Sequence, residues 1–115
     1  MFSVEFYQAP GGGHPAAEFL EGLEKRARAK AAKWLQLLEE RGPGLPRPYA
    51  AVLEDGIHEL RVAFGRLEIR VLYFIEDRHI VLTGGFLKKT QAVPAQEIRR
   101  AQKCRADWLQ RSGGL

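Results

Sequence analysis

A chain of 115 residues with 45% hydrophobic and 28% charged residues suits a single globular domain, 1–115, and fits neither a disordered nor a fibrous protein. No apolar run is long enough to cross a bilayer, and the N-terminus has an alternating pattern instead of a secretion signal, so a cytoplasmic protein with no membrane partner is expected. The net charge of +4 is uneven: residues 1–55 carry 7 Lys and Arg against 8 Asp and Glu, and residues 56–115 carry 11 against 6, which points the second half toward a polyanion.

In chain order, Phe2 to Tyr7 reads as a strand, with Phe2, Val4 and Phe6 on one side and Glu5 between them. The APGGGHP segment that follows is a loop, and Pro15 is placed to open a helix. From Ala16 to Arg41, apolar residues recur at three- and four-residue steps, among them Phe19, Leu20, Leu23, Ala27, Ala31, Trp34, Leu35 and Leu38. Gly22 divides this stretch into a short helix and a longer one, predicted to fold as a hairpin over one face of a sheet. RGPGLPRP then ends helix formation.

Residues 56–87 predict three consecutive antiparallel strands, with turns at Gly65 and at Glu76-Asp77-Arg78 that are too short for crossovers. Alternation sets Leu60, Val62 and Phe64 against Glu59, Arg61 and Ala63, and then Ile69, Val71, Tyr73 and Ile75 against Arg70, Leu72 and Phe74. Arg61 and Arg70 therefore share the face away from the helices, together with Leu72 and Phe74, so that face is expected to be partly covered. Gly84-Gly85 marks a bulge or a close approach, after which Lys88 and Lys89 sit at the strand end. A last helix starts near Pro94 and buries Ile98, Ala101, Arg105, Trp108 and Leu109, and the Ser112-Gly113-Gly114 tail is expected to fray. Cys104, the single cysteine, is expected to pack in this helix, which excludes an internal disulfide and a multi-cysteine metal site.

No hydrolase, Walker, zincin or other metal-binding signature occurs, so neither metal nor cofactor is expected. What remains is the cationic set Arg61, Arg70, Lys88 and Lys89. When a ribose 2'-hydroxyl attacks its own phosphate the nucleophile is already tethered, and fixed cations supply in-line geometry and transition-state charge neutralisation. The competing reading pairs the arginines with Glu54, Glu59 or Glu68 as ordinary salt bridges. His58, Lys89 and Tyr73 are the possible proton-transfer groups.

The ordered set Leu53-Glu54-Asp55-Gly56, Glu59-Leu60-Arg61-Val62, Arg70-Val71-Leu72-Tyr73-Phe74, Gly85-Phe86, Lys88-Lys89-Thr90-Gln91, Pro94, Glu97-Ile98 and Ala101 resembles the RelE and HigB superfamily of toxins, in its phage-derived HigB-like branch. The resemblance implies a small α+β fold with an antiparallel-dominated sheet, an N-terminal helical hairpin on one face and a C-terminal helix. It implies a metal-independent endoribonuclease that cuts messenger RNA in the ribosomal A site of the small subunit, paired with an antitoxin carrying a helix-turn-helix domain. Arg61 and Arg70 would then grip the scissile phosphate, and Lys88 or Lys89 would supply the basic position after the last strand. Where related toxins carry extra lysines before the first arginine, or a tyrosine or histidine near the C-terminus, this chain has Ile57, His58 and Glu59 and ends in Trp108 and glycines. A catalytically inactive module that binds ribosome, RNA or antitoxin is the alternative.

Overall fold

Two two-residue connections build the centre of the molecule. Gly65-Arg66 joins β3 (His58–Phe64) to β4 (Leu67–Glu76), and Asp77-Arg78 joins β4 to β5 (His79–Leu87). The first residue of each turn takes a left-handed φ, +57° at Gly65 and +54° at Asp77. Glycine adopts that conformation freely, and aspartate tolerates it better than most residues. The computed structural model describes residues 2–113, adding β1 (Ser3–Phe6), α1 (Pro15–Glu21), α2 (Lys25–Arg41), β2 (Ala50–Val52) and α3 (Ala95–Gly113).

The result is a small α+β fold with three helices and one five-stranded sheet in the order β1-β5-β4-β3-β2. The three predicted strands pair antiparallel and β2 adds to them in the same sense, but β1 runs parallel to β5, which makes the sheet mixed. α1 ends before Gly22, as the glycine predicts. Ala16 and Leu20 of α1 and Ala27, Ala31 and Leu38 of α2 share one core with Leu60, Val62, Ile69, Val71, Tyr73, Ile80 and Leu82 of the sheet. α3 serves the other face, where Ala101, Cys104 and Trp108 meet Tyr7, Ile57, Leu72, Phe74 and Val81. The predicted partial cover over Leu72 and Phe74 is therefore this helix. Two details differ from the reading of the sequence. Phe6 is exposed although Phe2 and Val4 pack against the helix-side core, because β1 is an edge strand with only β5 beside it. α3 continues through Ser112 and Gly113, so fraying there is not observed, and Gly114 lies outside the described residues.

The Gly84-Gly85 pair does both things predicted of it. Register shifts opposite it, Leu72 pairing with Gly84 and Tyr73 with Leu82, so Thr83 is the extra residue of a bulge. A side chain at Gly85 would place its Cβ 2.3 Å from Phe19 Cδ2 and 3.0 Å from the Arg70 carbonyl oxygen. The ring could move but the backbone could not, so Gly85→Ala is expected to destabilise the fold by about 1–3 kcal/mol, measurable as a lower urea midpoint with unchanged slope.

α3 is latched to the N-terminal strand by side-chain bonds. Tyr7 Oη donates to Asp107 Oδ2 at 2.7 Å, and Trp108 Nε1 donates to Glu5 Oε1 at 3.2 Å. Burial, reinforced by the Asp107 bond, pushes the Tyr7 phenol up to about 12, and burial with the nearby Glu59 charge does the same at Tyr73. Both phenols ionise near 10 when unfolded, so their contribution is intact below pH 10 and is lost as pH rises from about 10 through about 12. Urea melts across that window should show stability falling, with a smaller fall in Tyr7→Phe and in Tyr73→Phe.

Candidate functional site

Each strand of the central hairpin carries a Glu-X-Arg triplet, Glu59-Leu60-Arg61 and Glu68-Ile69-Arg70. Because side chains alternate, acid and base of each triplet lie on one face, and the antiparallel register makes Arg61 and Arg70 direct cross-strand partners. Two guanidinium groups facing each other across strands repel, so the fold must supply a counter-charge. Glu59 does so. Its carboxylate is 1% exposed and lies between the arginines, with Oε1 accepting from Arg61 Nε at 2.6 Å and Oε2 at 3.8 Å from Arg70 Nε. Arg70 is held further by Glu68 Oε1, 3.2 Å from Nη2, and by the carbonyl oxygen of Ile69, 3.1 Å from Nη1.

Arg70 is thus buried and fixed from several sides, whereas Arg61 is partly exposed. The salt bridges weighed against a functional reading are present, with Glu59 and Glu68. They do not neutralise the cluster, because two carboxylates, Glu59 and Glu68, stand against four cations, Arg61, Arg70, Lys88 and Lys89.

The β4–β5 ladder extends one step past β5, where Lys88 N donates to the Glu68 carbonyl oxygen at 2.8 Å. That bond delivers Lys88 and Lys89 next to Arg70. Glu68, Arg70, Lys88, Lys89, Thr90 and Gln91 line an open cavity of about 440 Å³. Three of the four predicted cations therefore meet around one space. Arg61 does not line it and stands on the β3 side of Arg70, coupled to the cavity through Glu59. A single carboxylate, Glu68, lines the cavity, and its side chain is half exposed.

The two aromatic candidates are elsewhere. His58 and Tyr73 are cross-strand partners whose rings stack at 5.1 Å, on the face that carries α1 and α2. They line a separate cavity of about 260 Å³ with Leu45, Arg47, Ala50 and Val52. Burial lowers the His58 pKa, which favours neutral imidazole, and holds Tyr73 as a phenol. Alternation assigned Tyr73 to that side, and His58, its cross-strand partner, lies there with it. Cys104 packs as expected, and burial pushes its thiol up, away from thiolate reactivity.

Sequence reasoning missed the structural role of Glu59 and the place of Glu68 in the cavity wall. The signal was present in the repeated Glu-X-Arg spacing, but it was read only as a competing salt bridge. No cluster of three or more His, Cys, Asp or Glu able to hold a metal ion occurs among the described residues. No helix among the described residues is long and apolar enough to cross a membrane.

A family model described as phage-derived protein Gp49-like (DUF891) matches residues 18–106, a span that takes in both Glu-X-Arg triplets and every residue lining the cationic cavity. No curated protein matches the chain. The match covers most of the sequence, and the chain therefore belongs to the Gp49-like family of phage-derived proteins, a family associated with toxin–antitoxin systems.

Proposed function

We propose that this protein is the toxin of a type II toxin–antitoxin pair, a ribosome-dependent endoribonuclease that cuts messenger RNA in the A site by 2'-hydroxyl attack without a metal ion. One observation carries the reading: Arg70, Lys88 and Lys89 converge on a cavity of about 440 Å³, with Arg61 beside them. The family supports a toxin context. In this reading Arg70, immobilised before substrate arrives, binds the phosphate oxygens that gain charge in the transition state, and each such fixed donor is worth about 10²–10³ in rate. Lys88 and Lys89 neutralise the same charge, and Glu68 is the carboxylate within reach to take the 2'-hydroxyl proton. As the 2'-oxygen bonds to phosphorus the P–O5' bond breaks, the ammonium of Lys88 or Lys89 gives its proton to the departing 5'-oxygen, and the products are a 2',3'-cyclic phosphate and a 5'-hydroxyl.

A second reading, a ribosome- or antitoxin-binding module that no longer cleaves, is favoured by a different observation. Neither histidine nor tyrosine lines the cationic cavity, since His58 and Tyr73 stand on the opposite face. Inducible expression, with and without the small protein encoded beside it, separates the two. A nuclease gives growth arrest and new 5'-hydroxyl ends only on translated message, and Arg61→Ala with Lys89→Ala removes both. A binding module arrests growth without new ends. Suppression by the neighbouring protein, expected to carry a helix-turn-helix domain, identifies it as the antitoxin.

A further inference from the structure

The balanced charge of residues 1–55 conceals a strong local segregation. Lys25, Arg26, Arg28, Lys30 and Lys33 all fall in the first half of α2, and no Asp or Glu occurs between Lys25 and Leu38. The first turn of α2 has no acidic residue, and its N-cap, Glu24, makes no side-chain cap bond. Cations at a helix N-terminus oppose its dipole, and like charges one turn apart repel, so this arrangement disfavours the isolated helix. A pattern that breaks local rules without benefit to the fold points to a purpose outside the fold.

The cations also frame a groove. Arg26, Ala29, Lys30, Lys33, Trp34 and Leu37 line a depression of about 550 Å³ along α2. Their spacing of three and four residues makes one continuous helical stripe, distinct from the stripe of Ala27, Ala31 and Leu38 that faces the sheet. Ala29, Trp34 and Leu37 form an apolar floor, and the basic side chains lend their methylene stems to the walls while their charges stand at the rim. Trp34 stacks on Tyr49 with ring centroids 4.8 Å apart, and Tyr49 is itself exposed, so the apolar surface extends beyond the helix. Lys30 donates to the Ala63 carbonyl oxygen, which ties the groove to β3. Arg26 and Lys33 form no ion pair or hydrogen bond among the described residues. The cationic cavity described above shares no residue with this groove.

We propose that the α2 groove is a docking site for an acidic amphipathic helix of a protein partner. Apolar side chains at helical spacing seat on Ala29, Trp34 and Leu37, and carboxylates on their flanks meet Arg26 and Lys33. The stripe spans about three turns, the length over which two helices pack with side chains interlocked. An acidic partner also removes the repulsion among the α2 cations, so the bound state relieves what the free helix tolerates. A nucleic acid fits the groove less well: single-stranded sites pair their cations with open aromatic faces on which bases stack, whereas Trp34 is already stacked on Tyr49 and the rest of the floor, Ala29 and Leu37, is aliphatic. The inference stands apart from the nuclease reading.

The test is a titration of the full-length chain with a blocked synthetic peptide of about 15 residues, roughly four turns of helix, carrying Leu at helical spacing and Glu elsewhere. Amide and indole NMR shifts and calorimetry provide the readout. Micromolar binding with shifts at Ala29, Trp34 and Leu37 is expected. Arg26→Glu with Lys33→Glu should weaken it about 30-fold or more, because reversal replaces two attractions with repulsion. Leu37→Asp, at a position outside both cores, should weaken it as well. The same peptide with Lys for Glu should not bind. The proposal is overturned if the acidic peptide does not bind, if it binds elsewhere or equally to the reversed variant, or if a short single-stranded RNA produces the α2 shifts instead. RNA cleavage by the Arg26→Glu, Lys33→Glu variant should equal that of the parent, so failure of the nuclease reading and failure of this one are seen in different measurements.

Discussion

Under the proposed nuclease function, Arg70→Ala is expected to lower RNA cleavage by about 10²- to 10³-fold while leaving a folded protein. The size of the effect follows from fixation: the guanidinium is held by Glu59, Glu68 and the Ile69 carbonyl, so its charge is already aimed when substrate binds. Stability should fall by only about 1–3 kcal/mol, because Glu59 keeps its shorter bond to Arg61 and Glu68 is already half solvated. Arg70→Lys retains the charge but loses the planar fork, and should recover little of the lost rate. Cleavage on translating ribosomes, read as new 5'-hydroxyl ends, measures the first effect, and urea unfolding measures the second. A folded Arg70→Ala protein that cleaves at the parental rate would remove Arg70 from the reaction.

Glu59→Ala is expected to show the largest loss of stability of any single substitution in the site, about 3–5 kcal/mol, a large part of a typical domain's total of about 5–15. Glu59 is 1% exposed and is the one carboxylate placed between two cross-strand arginines. Without it, Arg70 keeps only Glu68 as a charged partner and faces the Arg61 charge with nothing between them. Arg61, being partly exposed, can swing toward water; Arg70 cannot. The double variant Glu59→Leu with Arg70→Leu removes both buried charges, so it should regain most of the stability while cleavage stays lost. A Glu59→Ala protein as stable as the parent would show that the network contributes nothing to the fold. Recovery of stability without recovery of cleavage separates the structural role of the pair from the chemical role proposed for Arg70.

Local information was sufficient for much of this molecule. Gly22, Gly65, Asp77 and Pro94 mark element ends through local preferences: Gly65 and Asp77 take left-handed φ, the fixed φ of proline suits the entry to α3, and Gly22, at a helical φ of −77°, lowers helix propensity where α1 stops. Strand alternation assigned Arg61 and Arg70 to one face and Tyr73 to the other, the structure keeps both assignments, and His58 stacks with Tyr73. The cations that punctuate the strand segments drew attention to Lys88 and Lys89 just past the end of β5, where they line the cavity.

Other features depended on where the chain returns in space. β1 pairs parallel with β5, and its own pattern of alternation is the same for either neighbour and either direction. The three-residue strand β2, beyond a proline-rich stretch, has no periodicity of its own and exists through its pairing with β3. The two Glu-X-Arg triplets are legible as residues, but only the register that sets Arg61 opposite Arg70 makes them share Glu59. The groove on α2 becomes visible only once the sheet has claimed Ala27, Ala31 and Leu38, which leaves the stripe from Arg26 to Leu37 at the surface, with Trp34 half-buried at its inner edge. The sequence by itself determined the elements and the face on which each side chain lies, because both follow from short-range geometry. The tertiary structure decided which charges share a counter-ion, which surround a cavity and which are left without a partner, because those depend on pairings between segments distant along the chain.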